Sequence, residues 1–391
     1  MLAMSQHTPG DRGSAGAVVE FEKVTKRYAG AKGDPAAVQE LSMTIPGGEI
    51  CALVGPSGCG KTTTLKMVNR LVEPSSGRIL LDGQNILERD PVELRRGIGY
   101  VIQQTGLFPH RTIGDNVATV PGLLGWDRKR TRTRVDKLIE LVGLEPATYR
   151  DRYPVQLSGG ERQRIGVARA IAVDPPVLLM DEPFGAVDPI TRERLQNEFL
   201  RLQRQLSTTI LFVTHDIDEA IKMGNRVAVF KPGGKLAQFD TAETVLDAPA
   251  DEFVARFVGS DRGLKRLSLS QVKDVPLEHP VTVRVGTDAA EIERQLDRAS
   301  TPYVLMVDEQ ERPVGWLWRQ DLGRGPVGPE RASSPEPLLD PDSTLRDALS
   351  SMLGSAVQEG LVVDANGRLL GSVSIEAVGS VLRREPAASS R

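Results

Sequence analysis

Cysteine is scarce in this chain of 391 residues, which has only Cys51 and Cys59. Two such positions imply no disulfide framework, and a reducing cytoplasm suits them. Long apolar runs are missing too. Nothing approaches the ~18 uninterrupted apolar residues of a membrane-spanning helix, so any membrane role runs through a partner. Met1 to Gly16 is polar and Gly/Ser-rich, lacks the apolar core of a signal peptide, and reads as a disordered tail. Strong charge of either sign is absent: the net charge is −3, which argues against a general nucleic-acid binder.

What is present suits a folded protein of more than one domain. The chain is 40% hydrophobic and 26% charged, and too long for one typical domain. From Ala17 to about Gly259, short apolar strands alternate with amphipathic helices, which predicts a mainly parallel, doubly wound α/β sheet. Ile50 to Val54, Val177 to Met180 and Ile210 to Val213 read as buried strands. Thr62 to Val72 reads as a helix with Leu65, Val68 and Val72 on one face. A helical subdomain is expected at about 90–160. Beyond Gly259 the sequence repeats: Val307-Asp308 and Gly315 return as Val363-Asp364 and Gly371, 56 residues later. Each copy reads as strand, turn, strand, and the proline-rich stretch Gly325 to Asp342 separates them.

Three motifs carry chemistry. Gly55-Pro56-Ser57-Gly58-Cys59-Gly60-Lys61-Thr62 fits G-x-x-x-x-G-K-[ST] between a strand and a helix, the context that pattern requires. Its backbone N–H groups would cradle phosphates, Lys61 would reach the β/γ oxygens, and Thr62 would give a hydroxyl to Mg²⁺. Cys59 holds a free position there, as a reactive thiol or a bystander. Val177 to Met180 leads into Asp181-Glu182, where Asp181 can hold Mg²⁺ through water and Glu182 can polarise an attacking water. Leu157-Ser158-Gly159-Gly160-Glu161-Arg162-Gln163-Arg164 puts a serine and two glycines before a helix, an anion site built from backbone N–H groups and the helix's positive end.

Together these motifs resemble those of the ABC ATPases, P-loop NTPases whose LSGGQ signature binds the γ-phosphate of ATP held by another copy of the domain. Glu161 stands where glutamine is usual. The resemblance implies that Ser158, Gly159 and Gly160 act across a dimer and that Thr63 joins the phosphate-binding residues. It further implies that Gly185 to Asp188 forms the loop in which Asp188 links two nucleotide sites. His215, in Thr214-His215-Asp216, falls at the switch histidine that contacts the γ-phosphate. A lone histidine is otherwise more often structural. Gln103 matches the glutamine coupling Mg²⁺ and water to the helical subdomain, with Gln104 the neighbouring alternative. Tyr28 matches the aromatic stacked on adenine, a contact worth ~1–3 kcal/mol.

One such domain per chain, with no coiled-coil insert between Lys61 and Ser158, argues for a transporter subunit whose membrane part is a separate chain. Gln104 to Ile113 and Asn116 to Pro121 resemble the corresponding region of bacterial importer ATPases, and the continuation Gly122 to Trp126, strengthened by Asp181 to Arg192, is similar to the osmoprotectant group, which takes up glycine betaine, choline, carnitine or proline betaine. That resemblance implies a homodimer, or a pair with a homologous ATPase, at the cytoplasmic face of the plasma membrane. It also implies permease subunits contacted by about Thr105 to Val120, and an extracytoplasmic substrate-binding protein engaged indirectly. The alternatives are an importer of another solute, such as amino acids, or a non-transport ABC switch. The basic run Arg128 to Arg134 reads as the solvated face of a helix, against a lipid-facing alternative. Residues 265–384 resemble a tandem CBS pair of α+β type, with a tail at 385–391. Such pairs bind nucleotides or sense ionic strength in some relatives, but the usual Ser/Thr and acidic positions are here Trp318 and Asp321, then Ser374 and Ala377. A packing module without ligand is the other reading.

Overall fold

The structure, a computed structural model, describes residues 16–28, 36–102, 106–185 and 187–383. The expected tails lie outside these residues, apart from Gly16, as do Gln103, Gln104 and Thr105. The chain divides into two compact units, Met1–Val258 and Gly259–Arg391.

The first unit is built on one ten-stranded sheet. Its strands are β1 (Val19–Lys26), β2 (Val38–Ile45), β3 (Ile50–Val54), β4 (Ser76–Leu81), β5 (Gln84–Asn85), β6 (Ile98–Val101), β7 (Val177–Asp181), β8 (Thr209–Val213), β9 (Arg226–Lys231) and β10 (Lys235–Thr241). Their spatial order is β5-β4-β1-β2-β10-β9-β3-β8-β7-β6. From β9 to β6 every pairing is parallel. Every residue of β3, β7 and β8 is buried, as expected for strands covered on both faces. The rest of the sheet adds an antiparallel part: β1 pairs antiparallel with β2 and β4, β4 with β5, and β9 with β10, while β10 and β2 pair in parallel. Burial in β2 alternates, the pattern of an antiparallel strand with one solvated face.

Two expectations are redrawn. The helix expected over Thr62 to Val72 spans Lys61–Val68, because Asn69 leaves the helical region and Arg70 adopts a left-handed φ of 47°. Val72 still packs against the core, but from a turn. In the 90–160 segment, β6 pairs into the main sheet. The helices Ile113–Val117, Thr119–Leu123, Arg128–Leu141 and Pro146–Tyr149 follow it and lead to the signature helix Gly159–Ala170. Along Arg128–Leu141, Val135, Leu138 and Ile139 are buried, while Arg128, Lys129, Arg130 and Arg132 are exposed. Arg134 turns inward, to the carbonyls of Ile171 and Ala172 and to Asp174.

The second unit carries the repeat as two three-stranded sheets. One holds β11 (Thr282–Arg284), β12 (Tyr303–Val307) and β13 (Pro313–Trp318). The other holds β14 (Leu338–Leu339), β15 (Glu359–Val363) and β16 (Leu369–Ser374). The repeats exchange their leading segments. Glu278, ahead of the first sheet, bridges to Ser372 on β16, and Ser333, ahead of the second, bridges to Trp316 on β13. Trp316 is 2% exposed and packs with Leu305, Val307 and Leu361, joining both copies in one apolar cluster. Tyr303 and Glu359, equivalent positions of the repeat, meet directly: the tyrosine hydroxyl donates to the carboxylate at 2.8 Å. Burial, followed by that bond, pushes the Tyr303 pKa up to about 12.

Tyr303→Phe removes this donor while keeping the ring against Trp316 and Trp318. Thermal unfolding of the second unit should show a loss of about 1 kcal/mol, the net worth of one hydrogen bond. An unchanged midpoint would show that the Tyr303–Glu359 bond does not tie the two copies together.

Candidate functional site

The C-terminal ends of β3, β8 and β7 lie side by side, because Val213 pairs with Leu53 on one flank and Asp181 on the other. Each strand releases a functional loop at that edge. After β3 the glycine loop turns into Lys61–Val68. A Cβ on Gly60, whose φ is +95°, would lie 2.1 Å from the Ala37 carbonyl oxygen. One on Gly55 would lie 2.4 Å from that of Phe230. Glycine at both places lets the backbone wrap tightly at the head of the helix. That helix has no side-chain cap, whereas Arg128–Leu141, Gly159–Ala170 and Pro189–Leu206 are capped by Asp127, Ser158 and Asp188. Its leading N–H groups and positive end therefore face the loop, as an anion site requires. Lys61, 7% exposed, donates to the carbonyls of Gly55 at 2.7 Å and Pro56 at 2.9 Å. Cys59 is buried at 1% exposure with its sulfur 3.5 Å from Lys61 Nζ; Ser57 and Gly58 are exposed.

The acidic pair meets the loop from the next strands. Thr62 Oγ1 donates to Asp181 Oδ1 at 2.9 Å. Asp181 is 6% exposed, and burial raises its pKa against the lowering effect of the Thr62 bond. A threonine hydroxyl and a carboxylate oxygen at this range are the hard oxygen donors that Mg²⁺ prefers, so the residues fit that ion. Glu182 follows in a left-handed turn, φ 48°, with its N–H on the Val213 carbonyl. Its Oε1 stands 3.5 Å from His215 Nδ1, and the His215 side chain is 66% exposed. Tyr28 reaches the same helix, its hydroxyl 3.3 Å from Thr63 Oγ1, with an exposed ring. Lys61, Thr62, Thr63, Asp181, Glu182, His215 and Tyr28 thus share one edge of the sheet.

Ser158, Gly159 and Gly160 belong to a different surface. Ser158 Oγ accepts from the Glu161 N–H at 3.3 Å, and Glu161 Oε2 accepts from the Ser158 N–H at 2.7 Å, a reciprocal capping box. A Cβ on Gly159 would meet nothing within 4 Å, so the start of this helix is open. Glu161 turns into the helical segment, where the Tyr149 hydroxyl donates to its Oε1 at 2.6 Å. That bond, with the Ser158 N–H, holds the Glu161 pKa below its ordinary value. Asp188 caps the helix Pro189–Leu206 through the Thr191 N–H at 3.0 Å.

Two polar groups in this region escaped the sequence reading. Gln163 Nε2 donates to the Glu182 carbonyl at 3.4 Å, linking the signature helix to the acidic turn. Glu219, 8% exposed, accepts from Gln196 Nε2 at 3.2 Å. Gln163 stands within the Leu157–Arg164 motif without a role assigned to it there, and Glu219 has no motif spacing of its own. The available signal was a polar residue on the inward face of a short helix.

The ABC transporter family matches residues 38–185, and the CBS domain family matches residues 331–382. An osmoprotectant import ATP-binding protein of Salmonella typhimurium is 45% identical over 368 residues, covering 93% of this chain and 96% of that protein. A glycine betaine/carnitine/choline transport ATP-binding protein of Bacillus subtilis is 44% identical, covering 91% and 94%. Among solved structures, a dimeric ATP-binding cassette in a post-hydrolysis state, bound to ADP and Pi, superposes with a TM-score of 0.53. It shares 32% identity and covers 57% of this chain and 98% of its own.

Tyr149→Phe should lower stability at neutral pH and lose that effect in acid. Because the folded-state pKa of Glu161 is depressed, its contribution is full above the ordinary glutamate range and disappears as pH falls through the folded value. Unfolding midpoints from pH 7 to pH 3 should converge for the two proteins. Parallel curves would separate Glu161 from the effect.

Proposed function

The chain belongs to the ATP-binding subunits of ABC transporters, within the osmoprotectant group, and from that membership we propose that it hydrolyses ATP to drive import of quaternary-amine osmoprotectants such as glycine betaine, choline, carnitine or proline betaine. The observation that carries the reading is the meeting of Lys61, Thr62, Asp181, Glu182 and His215 at one edge of three buried parallel strands.

Phosphoryl transfer to water asks a protein for positioning and charge stabilisation more than covalent chemistry. Gly55 to Gly60 and the uncapped helix start receive the phosphates of ATP. Lys61 exchanges the carbonyls of Gly55 and Pro56 for β/γ oxygens. Thr62 and Asp181, together with Gln103 from outside the described residues, hold Mg²⁺, which when bound neutralises charge on those oxygens. Glu182 polarises the attacking water, and His215, beside it, contacts the γ-phosphate. Tyr28 stacks on the adenine. None of these groups covers the outer side of the triphosphate. We assign that role to Ser158, Gly159 and Gly160 of the partner subunit, with Asp188 between the two sites. ATP then closes a dimer that hydrolysis opens.

Among the described residues no helix is long and apolar enough to cross a membrane. From its importer relatives we place the chain at the cytoplasmic face of the membrane against permease subunits, with a substrate-binding protein reached through them. The segment from about Thr105 to Val120 is the proposed contact. Asn116 is fully buried and bonds to the backbone of Phe108, Arg111 and Thr112, shaping a surface on which Phe108 is exposed. For the C-terminal pair we propose a regulatory or packing role that does not depend on the usual ribose contact. The Ser374 hydroxyl is 3.2 Å from Glu278 Oε1, and Ala377 brings no carboxylate.

Glu182→Gln should lower turnover by about a hundredfold or more, retain ATP binding and trap a dimer on size exclusion with ATP. Wild-type activity in this variant would remove Glu182 from catalysis. Ser158→Arg should block hydrolysis while nucleotide binding to the monomer persists. Loss of that binding would mean Ser158 does not act across a dimer. Growth of a host lacking its own betaine uptake, rescued at high salt by betaine but not by amino acids, tests the solute.

A further inference from the structure

Glu219 lies four residues beyond His215 on the helix Ile217–Met223, and its carboxylate is among the most enclosed ionisable groups of the first unit. A buried carboxylate is tolerated only with specific partners. Its partners join two segments that flank the proposed catalytic turn. On one side the Glu219 N–H donates to Asp216 Oδ1 at 3.3 Å, the Asp216 N–H donates to the Thr214 hydroxyl at 3.1 Å, and Thr214 and Asp216 flank His215, with the Thr214 side chain also acting on the carboxylate. The Thr214 N–H in turn holds the Leu53 carbonyl at 3.2 Å, at the end of β3. On the other side stands Gln196, 6% exposed, on the helix Pro189–Leu206. Asp188, Arg192 and Gln196 follow one another at four-residue intervals along that helix, on one face. Arg192 donates to the Val187 carbonyl at 3.0 Å, and its charge also acts on Glu219.

We propose that Glu219 is a positioning residue that ties the His215 segment to the helix beginning at Asp188, so that the switch histidine and the Val187–Asp188 turn are placed together. The inference rests on the reading of His215 and Glu182 given above. It supplies a route by which a change at Asp188, where a second subunit would approach, reaches the γ-phosphate contact of the same chain. A merely structural carboxylate would affect folding without a selective effect on His215.

The test uses the full-length chain and compares Glu219→Ala, Glu219→Gln, Gln196→Leu and His215→Ala. Glu219→Ala should lower kcat about tenfold or more with KM for ATP changed less than about threefold. Glu219→Gln, which keeps an acceptor oxygen, should retain most of the activity. The chain has four histidines, His7, His110, His215 and His279, so histidine-selective NMR resolves the ring directly. The His215 signal should shift or broaden in Glu219→Ala and Gln196→Leu but not in Glu219→Gln, while those of His110 and His279 stay in place. An unmoved His215 signal, or a kcat within about twofold of wild type in Glu219→Ala, overturns the proposal. Should Glu219→Ala not fold, Gln196→Leu carries the same two readouts. If His215→Ala itself keeps full turnover, the reading of the catalytic site fails and this inference with it. If His215→Ala is impaired and the Glu219 and Gln196 variants are not, only this inference fails.

Discussion

Val213 pairs with Leu53 on one side and Asp181 on the other, and the rest of the first unit depends on that register. Three buried strands end level, so the glycine loop, the acidic turn and the histidine segment emerge within reach of one another. A one-residue slip in any of them would move its loop along the edge and turn its side chains to the opposite face. The short contacts then follow from geometry. Thr62 meets Asp181, the Glu182 N–H meets the Val213 carbonyl, and the Glu182 carboxylate meets His215.

Much of this was legible in the sequence because the relevant signals are local. Ile50 to Val54 is a continuous apolar run closed by a glycine, and the strand has those bounds. The loop that follows needs small residues at fixed spacing, and the glycines stand where a Cβ would collide with carbonyls of Ala37 and Phe230. The orientation of Glu161 could also be anticipated, since a carboxylate facing an anion site would repel phosphate. Other features were not local. The helix after the loop stops at Val68 because Arg70 takes a left-handed conformation, although Val72 continues the apolar spacing. The antiparallel flank depends on which strands become neighbours, and an apolar strand does not announce its partner. Gln163 and Glu219 act through a backbone carbonyl and a buried amide, neither of which leaves a spacing to read.

The second unit shows a different relation between sequence and fold. The repeat was visible as a constant offset, but the exchange of leading segments was not. Each copy completes the other's sheet, through Glu278 with Ser372 and Ser333 with Trp316. Each copy has a buried cluster of its own, and the smaller cluster around Trp316 joins them. The tandem arrangement therefore ties the two copies by backbone bridges and a shared apolar cluster, whatever ligand the unit does or does not take.

The capping box at Ser158 has a consequence for which side chains that position can carry. Asparagine, aspartate, serine and threonine all start helices well, because each offers an oxygen to the leading N–H groups. On the proposed reading the same atom must also present a proton outward, to phosphate held by the other subunit. Of these oxygens only a hydroxyl both accepts and donates at once. Aspartate would hold the helix and repel the anion, while asparagine would have to donate from a different atom in a different place. The tolerance of position 158 is thus fixed by two demands made on a single oxygen. Threonine alone among the other good caps can satisfy both.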